Sequence, residues 1–322
     1  MEIDRKELKR RTREAMGLTR PRFWVVALVY FLMTTGLSYL PNQLIPFLTN
    51  EEAAFTVSLF CSILMSLYVV IVQFSFDLWS LWTSRRLDPG LGSLLQGFSV
   101  AGRVILMELS ILGRIMCWSV LLSIVAVFPL VYASLLLNSA LLYPLVLLLV
   151  VGLSAAVWAI TLRYSLAPYL LADSPNDGGG AAVRRSVELT RGWKWELFKL
   201  EFSFVGWSLL SLLLAALVLV AALWHAGFFQ TLAAFPAAEL PELLANYFLW
   251  QSGATTYFLG LTQAQNDLFI LYSSVSGGVG TAVLTDLVTL PVFLWLTPYR
   301  SVSRAGFYDA RLRLQREGAP LL

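Results

Sequence analysis

The run IMCWSVLLSIVAVFPLVYASLLLNSALLYPLVLLLVVGLSAAVWAITL, from Ile115 to Leu162, holds 48 residues without one charged side chain. A helix rises about 1.5 Å per residue against a hydrocarbon slab about 30 Å thick, so about 20 apolar residues make one crossing. Forty-eight are too many for one crossing, and the polar step at Asn138 and Ser139 predicts two antiparallel helices joined by a tight turn.

Similar runs lie on both sides. Phe23 to Asn50 is free of charge, with Pro41 predicting a helix end near Leu40, and Ala53 to Phe76 follows the acidic pair Glu51 and Glu52. Phe202 to about His225 gives a fifth run, and about Gly277 to Tyr299 a sixth, with Asp286 its one interior charge. Together they predict an all-α, polytopic transmembrane bundle forming a single integral membrane domain, with six spans at about 23–40, 55–76, 115–137, 140–162, 202–225 and 277–299.

Composition agrees. Of 322 residues, 58% are hydrophobic and 13% charged, against roughly 25% charged in a soluble domain. That excludes an ordinary water-soluble globule, and an aromatic content of 13% excludes disorder.

Orientation follows from Lys and Arg, which are retained on the cytoplasmic side while acidic residues have little influence. Eight precede span one; Arg85, Arg86, Arg103 and Arg114 lie between spans two and three. Arg163, Arg184, Arg185, Arg191, Lys194 and Lys199 lie between spans four and five, and five more follow span six, which accounts for all 23. The opposite side holds only acids: Glu51, Glu52, Glu239, Glu242 and Asp267. Both termini are therefore predicted to be cytoplasmic, in a basic segment at 1–22 and a tail at 300–322, with interfacial amphipathic helices on that side and 226–267 outside. The first span is too long, and lacks the small-x-small cleavage step, to be read as a signal peptide.

Short echoes run through the chain. Met107-Glu-Leu-Ser-Ile-Leu-Gly113 matches Leu200-Glu-Phe-Ser-Phe-Val-Gly206, and Leu166-Ala-Pro-Tyr169 matches Leu296-Thr-Pro-Tyr299. These are read either as a parallel internal repeat or as the shared composition of inner membrane boundaries.

Four features carry a family likeness: Glu201-Phe-Ser-Phe-Val-Gly-Trp207, Leu294-Trp-Leu-Thr-Pro-Tyr299, Ala305-Gly-Phe-Tyr308 and the arginine-rich start before span one. Nearly the whole chain resembles the domain of unknown function 975 family of bacterial multi-pass membrane proteins. The outer segment from His225 to Asp267 is longer than the family's usual connection. The resemblance implies an integral protein of the bacterial cell membrane and brings no catalytic residues.

Several chemistries are excluded. With His225 alone, no multi-histidine metal centre assembles within the chain. Cys61 and Cys117 both sit in apolar runs and form no CxxC pair. No GxSxG elbow stands in the sequence. No catalytic residue, cofactor or metal is therefore expected.

Three sets of residues remain as candidate sites. Asp286 sits inside span six, where a carboxylate costs about 2.5 to 3.5 kcal/mol, with Thr281, Thr285 and Thr289 at four-residue spacing close to its face. Pro291 adds a carbonyl, that of Leu287, without its helical donor. This set reads either as a cation or proton site or as a hydrogen-bonded helix anchor. Asp77, Glu108, Arg114 and Glu201 lie near the inner boundary and read as ion pairs that set helix depth, or as a gate. Asp177-Gly-Gly-Gly180 before Arg184 and Arg185 reads as a flexible connection, or as a cradle for a lipid headgroup.

The expected partners are anionic bilayer headgroups and other membrane proteins. Nucleic acid is not expected, because topology already accounts for every basic residue. The leading expectation is a non-enzymatic membrane protein that organises or supports lipids or partner proteins. The alternatives are a small transporter or ion pathway using Asp286, and a membrane-embedded lipid-modifying enzyme.

Overall fold

A computed structural model describes residues 4–44, 51–136, 139–251 and 260–317. Among the described residues every regular element is helical and no strand occurs. Among those residues five helices are long and apolar enough to cross a membrane, by length and composition, and a further apolar helix covers Leu145–Thr161. The chain divides into two compact units, Met1–Phe204 with Trp295–Leu322, and Val205–Leu294.

In the first unit, α1 (Arg5–Leu18) starts where the Asp4 carboxylate accepts the Lys6 N–H at 2.9 Å. α2 (Phe23–Phe31) runs through a π-helical stretch at Leu32–Gly36 into α3 (Leu37–Leu44). The helix end expected near Leu40 is thus corrected, because helical backbone continues past Pro41 to Leu44. A proline removes one donor and bends the ladder, but the N–H groups beyond it still find carbonyls.

α4 (Glu51–Ser84), α6 (Ala101–Leu136) and α7 (Ser139–Thr161) are the long helices of this unit, with the short α5 (Ser93–Gln96) between the first two. α6 and α7 pack on each other; residue 137 and Asn138, half of the expected polar step, lie outside the described residues. Short helices follow: α8 (Ala167–Asp173), α9 (Gly179–Leu189) and α10 (Lys194–Phe202). α4 and α6 both extend beyond their charge-free runs, α4 past Asp77 and α6 from fourteen residues before Ile115. A charge does not interrupt backbone hydrogen bonding; it only needs a partner or water at its own position.

The second unit holds α11 (Val205–His225), α12 (Phe228–Leu232), α13 (Leu240–Gln251), α14 (Gln263–Ser276) and the first part of α15 (Val279–Arg316). Leu243, Leu268 and Phe269 form its small buried cluster, with Phe228, Tyr247 and Trp250 packed on it. Thr262 and Gln265 close a reciprocal capping box at the start of α14.

The core of the first unit contains Trp79, Tyr169, Phe204, Phe307 and Tyr308, all fully buried. Tyr169 stacks on Tyr308 with ring centroids 5.7 Å apart. α1 docks on the later part of α15: Leu8 reaches the space over Gly306, where an added Cβ would come within 2.9 Å of its Cδ1. Ser303 also donates to Thr12 at 3.4 Å. Elsewhere large apolar side chains stand exposed, among them Phe55 and Phe60 on α4, Val125 on α6, Leu148 on α7 and Leu212 on α11. Apolar surface repeated along long helices is compatible with a membrane protein, since lipid tails contact such groups without the cost that water imposes.

Candidate functional site

The polar residues of the first unit converge around α15. Ser301 donates to Asp77 Oδ1 at 3.0 Å and receives the Ser80 hydroxyl at 2.8 Å. The Tyr169 hydroxyl lies 3.1 Å from the Ser301 carbonyl and 3.4 Å from Asp77 Oδ1, as donor to both. Burial, reinforced by the charge of Asp77, raises the Tyr169 phenol well above its usual range, so it acts as a neutral donor.

One turn along, Glu201 is 3% exposed and accepts from two guanidiniums. Arg300 Nε donates to Oε2 at 2.6 Å, and Arg304 Nε donates to Oε1. Burial alone would raise the carboxyl, but the charges and hydrogen bonds of Arg304 and Arg300 outweigh it and hold Glu201 below the usual carboxylate range. Arg304 acts electrostatically on Asp77 as well as on Glu201. Of the four boundary charges read from the sequence, Asp77 and Glu201 thus meet through one arginine. Glu108 feels Asp77 only at a distance, and Arg114 makes no hydrogen bond or ion pair among the described residues.

A second centre forms on Arg85. Its Nη1 and Nη2 donate to the two oxygens of Asp173 at 2.7 Å each, and Nη2 also reaches Asp309 Oδ1 at 2.8 Å. Tyr308 donates to Asp173 Oδ2 at 2.9 Å. Burial pushes the Asp173 carboxyl up, and the hydrogen bonds from Arg85 and Tyr308 more than reverse it, leaving it below its ordinary value. Beside this centre lies a cavity of about 560 Å³, lined by Arg85, Leu170, Asp173, Ser174, Arg185, Tyr308, Asp309, Leu312, Arg313 and Arg316. A second cavity of about 560 Å³ lies between α1 and the end of α15, where Arg11, Arg85, Arg86 and Arg313 face as many acids, Asp4, Glu7, Asp309 and Glu317.

The glycines before α9 have a packing reason. A Cβ on Gly179 would meet the Arg103 carbonyl oxygen at 2.6 Å and Met107 N at 2.6 Å, so its absence lets α9 lie directly on α6. Gly178 has φ +80°, a conformation that L side chains rarely adopt. Arg184 and Arg185 are exposed on α9; Arg185 pairs with Asp177 at 3.0 Å, and Arg184 makes no ion pair among the described residues.

In the second unit, Asp286 lies on the half-buried face of α15 with Thr281, Thr285 and Thr289, while Leu284 and Leu287 are exposed on the other face. Thr285 donates to the Thr281 carbonyl at 2.8 Å and Thr289 to the Thr285 carbonyl at 2.9 Å. The hydroxyl protons are therefore used within the helix and only the oxygen lone pairs remain to accept. α15 continues unbroken through Pro291. Among the described residues no group of three or more His, Cys, Asp and Glu is placed to hold a metal ion.

A family model described as Protein of unknown function (DUF975) matches residues 1–314. The chain belongs to that family. No curated protein and no solved structure matches it.

In this DUF975 chain the centre on Arg85 escaped sequence reasoning. Arg85, Asp173 and Asp309 are 88 and 224 positions apart along the chain, so no spacing rule links them. The one available signal was an acid, Asp173 or Asp309, within a segment rich in arginine. The echoed segments also part company: Leu166–Tyr169 crosses a turn into α8, whereas Leu296–Tyr299 lies within continuous helix α15.

Proposed function

We propose that this DUF975 chain is an integral protein of the bacterial cell membrane, with both termini cytoplasmic, that holds anionic lipid headgroups without catalysing a reaction. In doing so it organises the lipids or partner proteins around it. The observation that carries this reading is the outer surface of α9 and α10. Arg184, Arg185 and Arg191 are exposed there, beside Trp195 at 63% and Phe202 at 59% exposure. Trp195 stacks on Phe198 at 4.9 Å, and Phe198 on Phe202 at 5.7 Å. The opposite side of the same helices is buried through Val183, Leu189, Leu197 and Leu200. Aromatic rings at headgroup depth beside cations suit an interfacial surface, each cation adding about 1 kcal/mol toward an anionic leaflet.

The test is the lipid that stays with the purified protein. After extraction in mild detergent from membranes of known composition, anionic headgroups should be enriched over zwitterionic ones relative to the bulk. Replacing Arg184, Arg185 and Arg191 by Gln should lower that enrichment. Retention at the bulk ratio by the unaltered protein overturns the reading.

A second reading, an ion or proton pathway, is favoured by one observation: Asp286 shares a half-buried helix face with three threonines. Its test is flux through reconstituted vesicles carrying Asp286→Asn, and unchanged flux removes it.

A further inference from the structure

The two cavities of the first unit have equal volume but unequal charge. In the one against α1, four arginines face four acids. In the other, four arginines face only Asp173 and Asp309. Both aspartates are occupied, Asp173 by a two-pronged bond from Arg85 and by Tyr308, Asp309 by Arg85. Arg185 is engaged with Asp177. Arg313, which lines both cavities, and Arg316 are what remain: two exposed guanidiniums one helical turn apart on α15, with no hydrogen bond or ion pair among the described residues.

Like charges one turn apart repel, and Asp173, the wall acid that Arg316 acts on electrostatically, is already bound by Arg85 and Tyr308. The donors of Arg313 and Arg316 form planar forks that match the oxygens of a phosphoryl group. A terminal phosphate offers three oxygens on a tetrahedral centre and carries up to two charges, against the single charge of a carboxylate, which suits two neighbouring guanidiniums. A volume of about 560 Å³ exceeds what a single phosphate fills and lies in the range of ligand sites. We infer that this cavity binds a terminal phosphoryl or diphosphate group, gripped by Arg313 and Arg316 while Arg85 keeps the aspartates turned away from it.

The inference deepens the headgroup reading above by assigning one specific site to one headgroup chemistry. That chemistry has two sources, a phospholipid with a terminal phosphate and a soluble diphosphate, and the experiment separates them. The full-length protein in phosphatidylcholine nanodiscs is titrated calorimetrically with inorganic pyrophosphate. In a second arm, nanodiscs contain phosphatidic acid or phosphatidylglycerol, and the lipid retained on detergent extraction is measured.

Arg313→Gln combined with Arg316→Gln should weaken pyrophosphate binding about tenfold or more, because each fork supplies charged hydrogen bonds. Arg103→Gln, exposed on α6 and outside both cavities, should stay within about twofold of the unaltered protein. Preferred retention of phosphatidic acid over phosphatidylglycerol, lost in the double variant, assigns the site to a lipid; pyrophosphate binding without that preference assigns it to a soluble ligand. The inference is overturned if the unaltered protein binds neither probe, if the double variant binds as well as the unaltered protein, or if Arg103→Gln loses as much. In those cases, phosphatidylglycerol still retained over phosphatidylcholine leaves the broader headgroup reading standing. Loss of that bulk preference with pyrophosphate still bound sinks the broader reading alone.

Discussion

Replacing Glu201 by Gln keeps the shape of the side chain and removes the charge that two arginines share. Glu201 is 3% exposed, and it joins α10 to α15 through Arg300 and Arg304. Removing one partner of a buried ion pair costs about 3 to 5 kcal/mol, because the other charge is left uncompensated. Here the guanidiniums are 38% and 28% exposed and can turn partly to water, so the lower end, about 3 kcal/mol, applies. Arg300→Gln leaves Arg304 on the carboxylate and removes one charged hydrogen bond, worth about 1.5 kcal/mol at this exposure. The loss on Glu201→Gln should therefore be about twice that on Arg300→Gln. Thermal or denaturant unfolding of the detergent-purified chain, followed by tryptophan fluorescence, measures both. A Glu201→Gln chain as stable as the unaltered one, or an Arg300→Gln chain that is the less stable of the two, refutes the shared-carboxylate argument.

The remaining predictions concern packing, pH and the interior carboxylate. Gly179→Ala forces a Cβ within 2.6 Å of two α6 backbone atoms and should cost about 1 to 3 kcal/mol. Gly113→Ala, with nothing within 4 Å, should be neutral or gain up to about 1 kcal/mol on the same unfolding assay. Glu201 and Asp173 both have carboxyl pKa values lowered by folding, so the stability they add is complete above their ordinary values of 4.5 and 3.8 and is lost as pH falls through the lower folded values. Unfolding midpoints measured from pH 6 downward should fall on acidification in the unaltered chain (about pH 4 and below) and fall less in Glu201→Gln. Arg85→Gln strips Asp173 and Asp309 of their shared partner. It should destabilise the chain by about 2 to 4 kcal/mol, checked by the same melts with Arg86→Gln, largely exposed, as the neutral comparison.

Much of the fold was legible because its determinants are local. The charge-free stretches on either side of Asn138 appear as helices, α6 to Leu136 and α7 from Ser139, while Asn138 itself lies outside the described residues. Helix ends were less legible: Pro41 stands inside helical backbone, since one missing donor does not stop the ladder. Glu201 was recognisable as a charge at a boundary, yet Arg300 and Arg304 were read only as part of a basic tail. The glycines at 178–180 suggested flexibility or an anion cradle, whereas Gly179 is small because α6 passes directly over it.

Sequence alone determined that the chain is helical, rich in long apolar segments and sharply divided in charge, because helix length, side-chain hydropathy and the retention of cations act along one dimension. Only the tertiary structure decided which acid meets which base, leaving Arg313 and Arg316 with no ion pair among the described residues while Arg85 holds two aspartates. Pairing energy falls off within a few ångströms, and residues more than 80 positions apart come that close only after the helices have packed.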